Sequence, residues 1–529
     1  MRFSIPEKNK DLYLITYLIL LLFPALFINL GIMPFILDEA TRANVALEMI
    51  FSGDYVVPTI NGEFYYNKPP LFNWIQIFFV KILNSDSELV FRLPVVLSLL
   101  FFSFSIYKTL KKDLGKGVAF FTALAVISSG RILFYDSFKA LIDISFSWLI
   151  YLLFWSVYYF GRRKKYLKLF ASAYVFASLA FMMKALPSLV FLGLTLLVWF
   201  ISTKEFRKLF SWQHLAGFGI LILIVGGYLF MYHLQNPLSN YMDTLWSESS
   251  KRTFLDNNLW ESLRHVFLFP FQFIYHFAPW TVLIFLLLWR RNRSLVFEND
   301  ITRYFFWTFL VNILIYWASP AIYARYLFMF LPLIFAILFY VLSKNENEKY
   351  IRFIFKPFFV LLSGLVFLLI LVSPFLIDID QFENFWVQYI FSIGLFIPIL
   401  FLIQRKFNNY ILLVTSILLI GRIVFNFYVL PHRLNNSSYL DQKNGAIMVG
   451  TLSKSSDLYI MDGTRIQHSS SFYIMRERED ILRFTDKMAE KADLYIIEKE
   501  KRREYPPLVV LYEFETRIHA TKLCLVKLE

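Results

Sequence analysis

The sequence predicts an α-helical multi-pass membrane protein with a small C-terminal α/β domain, and three observations carry that prediction. Of the 529 residues, 58% are hydrophobic and only 17% are charged, against roughly 25% charged in an ordinary soluble domain. The apolar residues fall in runs of about 18 to 22, long enough to cross a bilayer, rather than in amphipathic alternation. Short clusters of Lys and Arg separate those runs, as they do in cytoplasmic loops. A soluble enzyme and a disordered chain are both excluded.

Thirteen runs qualify as spans: 12–33, 89–108, 117–133, 141–160, 168–183, 186–202, 214–233, 271–290, 301–319, 322–343, 353–376, 386–404 and 409–430. The first exceeds a secretory h-region and lacks a small-residue cleavage site, so it reads as a retained anchor. The formal charge of +14 raises the question of nucleic acid, but the basic residues sit between apolar runs and form no stripe suited to a duplex. No nucleic-acid partner is expected. With the N-terminus in the cytoplasm, the inner loops hold clusters such as Lys108 to Lys116, Arg162 to Lys165 and Lys204 to Lys208. The opposite loop at 377–385 carries Asp378, Asp380 and Glu383 and no Lys or Arg. This pattern suits the cell membrane, plasma or bacterial inner. An odd number of spans then places residues 431–529 outside. Cys524, the single cysteine, has no intrachain disulfide partner.

Two domains follow: a transmembrane domain over 1–430, with long outer loops at 34–88 and 234–270, and an extracytoplasmic α/β domain over 431–529. The latter has strand-like runs at Asp457–Met461, Ser471–Met475, Asp493–Ile497, Leu508–Phe514 and Lys522–Leu528, with a helical stretch from about Glu479 to Lys491. The first outer loop opens with a helical pattern from Asp38 to Phe51 and closes with another from Pro70 to Leu83. Its Phe72, Trp74, Phe78 and Phe79 suit the membrane surface. Long structured loops commonly carry function.

Asp38 and Glu39 stand at the apolar edge and at the start of a helix, where a carboxylate is stabilised by the N-terminal dipole. An isolated Asp there is most simply a cap. Asp143 lies near the outer end of the fourth span, where an ionisable residue is a functional candidate, and Asp136 competes with it. Arg252 in the second long loop is suited to a bidentate phosphate contact. His265 is a loop candidate whose plain alternative is an ordinary hydrogen-bonding histidine. Arg422, deep in the last span, suits a pairing with another helix.

The first loop reads DEATRANVALEM, then SGDYVVP, then NGEFYYNKPPL. This combination resembles the first outer loop of the ArnT-like branch of the protein O-mannosyltransferase family, polyprenyl-phosphate-sugar glycosyltransferases of the GT-C fold. SSKRT at Ser249, HFAPW at His276 and RYLFMFLPL at Arg325 extend the resemblance over nearly the whole chain. It implies an inverting transfer of a monosaccharide from a polyprenyl-phosphate donor to a hydroxyl or phosphate of a lipid, glycan or protein acceptor on the extracytoplasmic face. By resemblance Asp38 is the general base, Glu39 supports it or orients the acceptor, and Asp143 faces the catalytic cavity. Lys68 matches the lysine that contacts the lipid phosphate, and the two prolines after it keep the chain extended before Leu71. Arg252, Tyr65, Arg325 and Tyr326 match donor-phosphate positions. Thr41 and Arg42 stand where the family often has Arg-Tyr, which leaves Arg42 as an acceptor candidate. Asn67 replaces a glutamate that some relatives associate with a metal, so neither a metal nor another cofactor is expected.

The competing function class is a multispan lipid or sugar transporter or flippase. Such proteins show repeated halves and ionisable or broken helices at the midplane, whereas the candidate charges here gather at one face. A glycan-binding scaffold without catalysis is a third class, and the presence of both Asp38 and Lys68 argues against it.

Overall fold

A computed structural model describes residues 9–250, 259–320, 322–345, 356–376, 379–404, 409–488, 493–516 and 522–529. The chain forms two compact units, one built from 1–28, 95–227 and 243–429, the other from 29–94, 228–242 and 430–529.

All described strands belong to the second unit; the first is helical. At the centre of the first unit, the 3-10 turn Ala324–Phe330 leads into the helix Leu331–Lys344, in which every residue from Leu331 to Leu342 is buried. A helix apolar on all sides needs neighbours on all sides. Pro332 costs little there, because its missing N–H falls in the first turn. The helices Lys116–Ser128, Asp143–Gly161 and Asp300–Trp317 pack around this centre. Six helices among the described residues are long and apolar enough to cross a membrane: Glu88–Leu110, Asp143–Gly161, Tyr166–Lys184, Trp212–His233, Ala324–Lys344 and Tyr410–Asn435. Five more predicted spans coincide with shorter apolar helices and the span at 301–319 with the helix Asp300–Trp317, which leaves one change. In place of one span at 271–290, the chain has a helix Leu259–His276 and a separate 3-10 helix Trp280–Leu288. Pro279 lies between them and cannot continue a helix.

Arg422 is buried among carbonyls and rings. It donates to Ala25 O at 3.2 Å and to Leu133 O at 2.7 Å, and its guanidinium lies 4.8 Å from the Phe138 ring centre. It joins the Tyr410–Val424 helix to the Asn9–Phe27 helix and to the π-turn Ile132–Asp136.

In the second unit the first outer loop folds as a helix Asp38–Ser52, a two-stranded hairpin β1 (Thr59–Ile60) and β2 (Glu63–Phe64), and a helix Leu71–Leu83. Residues 430–529 supply β3 (Leu458–Met461), β4 (Arg483–Thr485), β5 (Leu494–Glu498), β6 (Leu508–Glu515) and β7 (Lys522–Leu528). The sheet order is β4-β3-β5-β7-β6, parallel across β4-β3-β5 and antiparallel across β5-β7-β6. Four predicted strands are present as strands. The fifth, Ser471–Met475, is instead the middle of a helix His468–Arg478 in which every residue from Ser469 to Met475 is buried, so no face alternates to reveal its period. Where helix was expected from Glu479, Glu479 adopts a left-handed conformation with φ 59° that stops the preceding helix, and β4 follows. Residues 489–491 of that stretch lie outside the described set.

Candidate active site

Two groups of predicted site residues stand in the two units. In the second unit Asp38 is the first residue of its helix and is exposed, whereas Glu39 beside it is 1% exposed. Leu37, which precedes them, takes φ 50° and ψ −127°, a conformation a non-glycine residue rarely holds. Glu39 turns inward to Arg92, itself 1% exposed. Arg92 Nε donates to Oε2 at 3.2 Å and Nη2 to Oε1 at 2.9 Å. The same guanidinium donates to Leu30 O at 2.9 Å and Pro34 O at 3.2 Å, and the Ile36 amide donates to Glu39 Oε1 at 3.2 Å. A buried carboxylate is tolerated when its oxygens are satisfied in this way. Glu39 and Arg92 thus shape the turn that presents Asp38.

Arg42 is buried on the same helix. It hydrogen-bonds the Tyr65 hydroxyl and lies 4.9 Å from the centre of that ring. Its own carbonyl accepts from Asn73 Nδ2 at 2.8 Å, which ties the Leu71–Leu83 helix to the Asp38–Ser52 helix. Lys68 is half-buried on the bend between the hairpin and the Leu71–Leu83 helix.

The hairpin hangs on Glu48. Its Oε1 accepts from the Asn61 amide at 2.5 Å, and its Oε2 accepts from Thr59 Oγ1 at 2.8 Å and from the Gly62 amide at 3.3 Å. Asn61 and Gly62 have φ 52° and 76°, the paired positive values of a tight hairpin turn, which Asn-Gly adopts at low cost. Burial pushes the Glu48 carboxyl up to about 7, against the lowering effect of those hydrogen bonds and of Arg483. At the foot of the loop, the Tyr473 hydroxyl accepts from the Phe35 amide at 2.9 Å and donates to Glu88 Oε1 at 2.8 Å, and Lys443 reaches the same oxygen at 2.6 Å. The helix His468–Arg478 is thereby fastened to both ends of the loop.

In the first unit Asp143 is the first residue of the Asp143–Gly161 helix, and cations meet both of its oxygens. Lys184 Nζ donates to Oδ1 at 2.6 Å, and Arg325 Nε lies 3.3 Å from Oδ2. Lys184 ends its helix, where a cation is favoured, and its ammonium sits 3.6 Å from the Tyr326 ring centre. Ala185, the next residue, has φ 58° and ψ −135°. Asp136, the competing acid, is 2% exposed and bound to Arg131 Nε at 2.6 Å. Burial holds its carboxyl above the usual range despite Arg131 and Lys139. His265 faces the Tyr316 carbonyl at 3.3 Å through Nε2, and the Tyr316 ring packs 5.9 Å from that of Tyr326. Arg252 lies outside the described residues.

Sequence reasoning passed over Arg92, Lys184 and Glu48. Two of them carried a signal. Arg92 is an ionisable residue in the first turn of an apolar run, and Lys184 is a lone cation between two spans on the predicted outer side, where the positive-inside rule disfavours it. Among the described residues no group of three His, Cys, Asp or Glu is arranged to hold a metal ion.

Residues 67–228 match the profile of the dolichyl-phosphate-mannose-protein mannosyltransferase family. An uncharacterised protein of Aquifex aeolicus is 26% identical over 272 residues, 49% of this chain and 53% of that protein, so the chain spans about half the length of this relative. ArnT from Cupriavidus metallidurans bound to undecaprenyl phosphate superposes with a TM-score of 0.70 at 14% identity, over 97% of this chain and 98% of that one. The same protein in the apo state gives 0.67 at 16% identity, over 97% of each chain. The chain is a multi-pass membrane protein of the GT-C fold, ArnT-like in architecture, and over residues 67–228 it is similar to the dolichyl-phosphate-mannose-protein mannosyltransferase family.

Proposed function

We propose that the protein is an inverting glycosyltransferase that moves a monosaccharide from a polyprenyl-phosphate donor to a hydroxyl or phosphate of a lipid, glycan or protein acceptor on the extracytoplasmic side of the cell membrane. The N-terminus lies in the cytoplasm and residues 431–529 outside. The undecaprenyl phosphate bound by the similar ArnT supports the donor class. The observation that carries the reading is the contrast on one helix start: Glu39 is locked to Arg92, while Asp38 beside it is presented at the surface of a loop that also holds Lys68.

In this mechanism Asp38 takes the proton of the acceptor hydroxyl as its oxygen attacks the anomeric carbon. The bond from that carbon to the phosphate oxygen breaks, and its electron pair leaves with the polyprenyl phosphate. A positioned base of this kind is typically worth ~10²–10⁴ in rate. Lys68 offsets negative charge growing on the departing oxygen. Glu39 acts through Arg92 as a positioning residue, and Arg42 and Tyr65 hold each other at the loop. In the other unit Lys184 joins Arg325 and Tyr326 as a candidate for phosphate recognition, with Asp143 positioning the two cations. Asn67 supports turnover without an added metal.

Mass spectrometry of lipids and glycans from cells with and without the protein tests the reading. Loss of one single-sugar modification, restored by the wild-type chain and not by Asp38→Asn, is expected. Unchanged glycans and glycolipids would refute it.

A further inference from the structure

At the far end of the first unit's Asp143–Gly161 helix, 18 residues from Asp143 and thus about 27 Å away at 1.5 Å per residue, lies a cavity of about 760 Å³. This is the size of a small-molecule site, and none of the candidate catalytic residues lines it. Its inner wall is aromatic. Tyr158 and Tyr304 stack at 5.4 Å, and Trp199 meets them edge-on at 6.1 and 5.7 Å. Trp199 is 7% exposed, and its indole Nε1 has no hydrogen-bond partner among the described residues. A buried indole N–H left unpaired is costly, so this donor calls for an acceptor beyond the described residues. Gly161 lets the indole pack directly on the helix, since a Cβ there would fall 2.3 Å from its Cε2 and 2.6 Å from that same nitrogen.

The mouth adds Arg162, Lys164 and Arg303 against two acids, Glu205 and Asp300. Glu205 accepts from the Tyr166 hydroxyl at 2.6 Å, Asp300 pairs with Arg303 at 2.7 Å, and Arg162 pairs with Asp113 at 2.9 Å. Lys164 adds an exposed cation at the mouth. The cavity also stands where the apolar helix ends and the basic run Arg162–Lys165 begins, the level at which lipid headgroups lie.

We propose that this cavity binds the phosphodiester headgroup of a membrane phospholipid. The Trp199 indole donates to a phosphate or ester oxygen, Lys164 and the arginines face the phosphate charge, and the aromatic wall covers the glycerol backbone. The same phosphate chemistry is offered by a soluble glycerophosphate, and the experiment separates the two.

Full-length protein stripped of lipid in detergent is titrated with dioleoylphosphatidylglycerol, dioleoylglycerol or sn-glycerol 3-phosphate, and occupancy is read by native mass spectrometry. Saturable uptake of the phospholipid is expected, with no saturable uptake of dioleoylglycerol. Trp199→Phe removes only the N–H and Lys164→Gln only a surface charge; each should weaken phospholipid binding about tenfold. Because Lys164 is exposed, its variant tests the site even if Trp199→Phe fails to fold. Equal uptake of the phosphate-free lipid, or unchanged phospholipid affinity in the folded variants, overturns the proposal. Glycerol 3-phosphate binding as tightly as the phospholipid overturns the lipid assignment.

Discussion

Asp38 and Asp143 each open a helix, and each has a neighbour forced into backbone space that favours glycine: Leu37 before Asp38, Ala185 after Lys184 in the Asp143 cluster. Beyond that they part. Asp38 is exposed, and the adjacent Glu39 is buried with both oxygens held by Arg92. Asp143 is buried, and its oxygens meet two different cations, Lys184 and Arg325. A helix N-terminus favours a carboxylate in both places, so the dipole alone does not decide what the acid does. What differs is burial, and at Asp143 the two cations that meet its oxygens. One acid is exposed at its helix start; the other is buried between two cations.

The largest effect that separates the regions is structural. Arg92→Ala leaves Glu39 buried without its cation, and breaking a buried pair from one side costs about 3–5 kcal/mol. A thermal-unfolding comparison with the wild type should show that loss. A variant of unchanged stability would mean that the Glu39–Arg92 pair does not hold the Asp38 turn. Next in size is a pH effect confined to the same loop. The folded Glu48 carboxyl is raised from 4.5 to about 7, so the folded chain binds this proton more tightly than the unfolded one. Its contribution is therefore full below about 4.5, falls as pH rises to about 7 and is flat beyond. The span corresponds to about 3 kcal/mol. Stability measured from pH 4.5 to 7.5 should decline in the wild type and lose this part of its slope in Glu48→Gln.

Much of the architecture was legible because bilayer thickness imposes one length on every span and lipid forbids unpaired backbone. The Asp38–Ser52 helix was readable to within a residue, since the acids at its start and Gly53 at its end are local signals. The helix His468–Arg478 was not, because it is buried on all sides and a run of Phe, Tyr, Ile and Met there looks the same as a strand. Among the site residues, sequence pointed to Asp38, Asp143 and Arg325 but gave no means of pairing them. Arg92 is 53 residues from Glu39, and Lys184 is 41 from Asp143. Those partnerships are set by tertiary packing, which no local pattern records.

Two further measurements bear on what the two acids do. Asp38→Asn keeps size and capping ability while removing the proton acceptor. Sugar transfer at saturating substrates should fall at least ~10²-fold with donor affinity retained; turnover at the wild-type rate would make Asp38 a cap. Smaller again is the loss expected of a cation. Lys68→Ala and Lys184→Met should each weaken polyprenyl-phosphate binding by about 1.5–3 kcal/mol, the worth of a charge-assisted contact. Wild-type affinity in Lys184→Met, beside a loss in Lys68→Ala, would assign phosphate binding to the loop and leave the Asp143 cluster a structural one.

The smallest expected effect tests the feature the two regions share. Leu37, at φ 50° and ψ −127°, and Ala185, at φ 58° and ψ −135°, hold conformations that crowd a Cβ. Such residues cost of order 1–3 kcal/mol each and persist where the surroundings impose them. Glycine removes the clash but adds about 0.5–1 kcal/mol of unfolded-state entropy to be lost. The difference is a net stabilisation of about 1 kcal/mol for Leu37→Gly and for Ala185→Gly. Function should respond differently in the two places. Ala185 follows a lysine whose ammonium is already held by Asp143 and by the Tyr326 ring, so relaxing the backbone there should leave donor affinity within about twofold, as for a change that removes no contact. Leu37 precedes an exposed acid whose aim depends on the turn itself, and a misplaced catalytic group can lower the rate up to about 10²-fold. Leu37→Gly should therefore gain stability and lose turnover. If both variants gain stability and neither loses turnover, the strain is incidental to the turn and Asp38 is aimed by the Glu39–Arg92 pair alone.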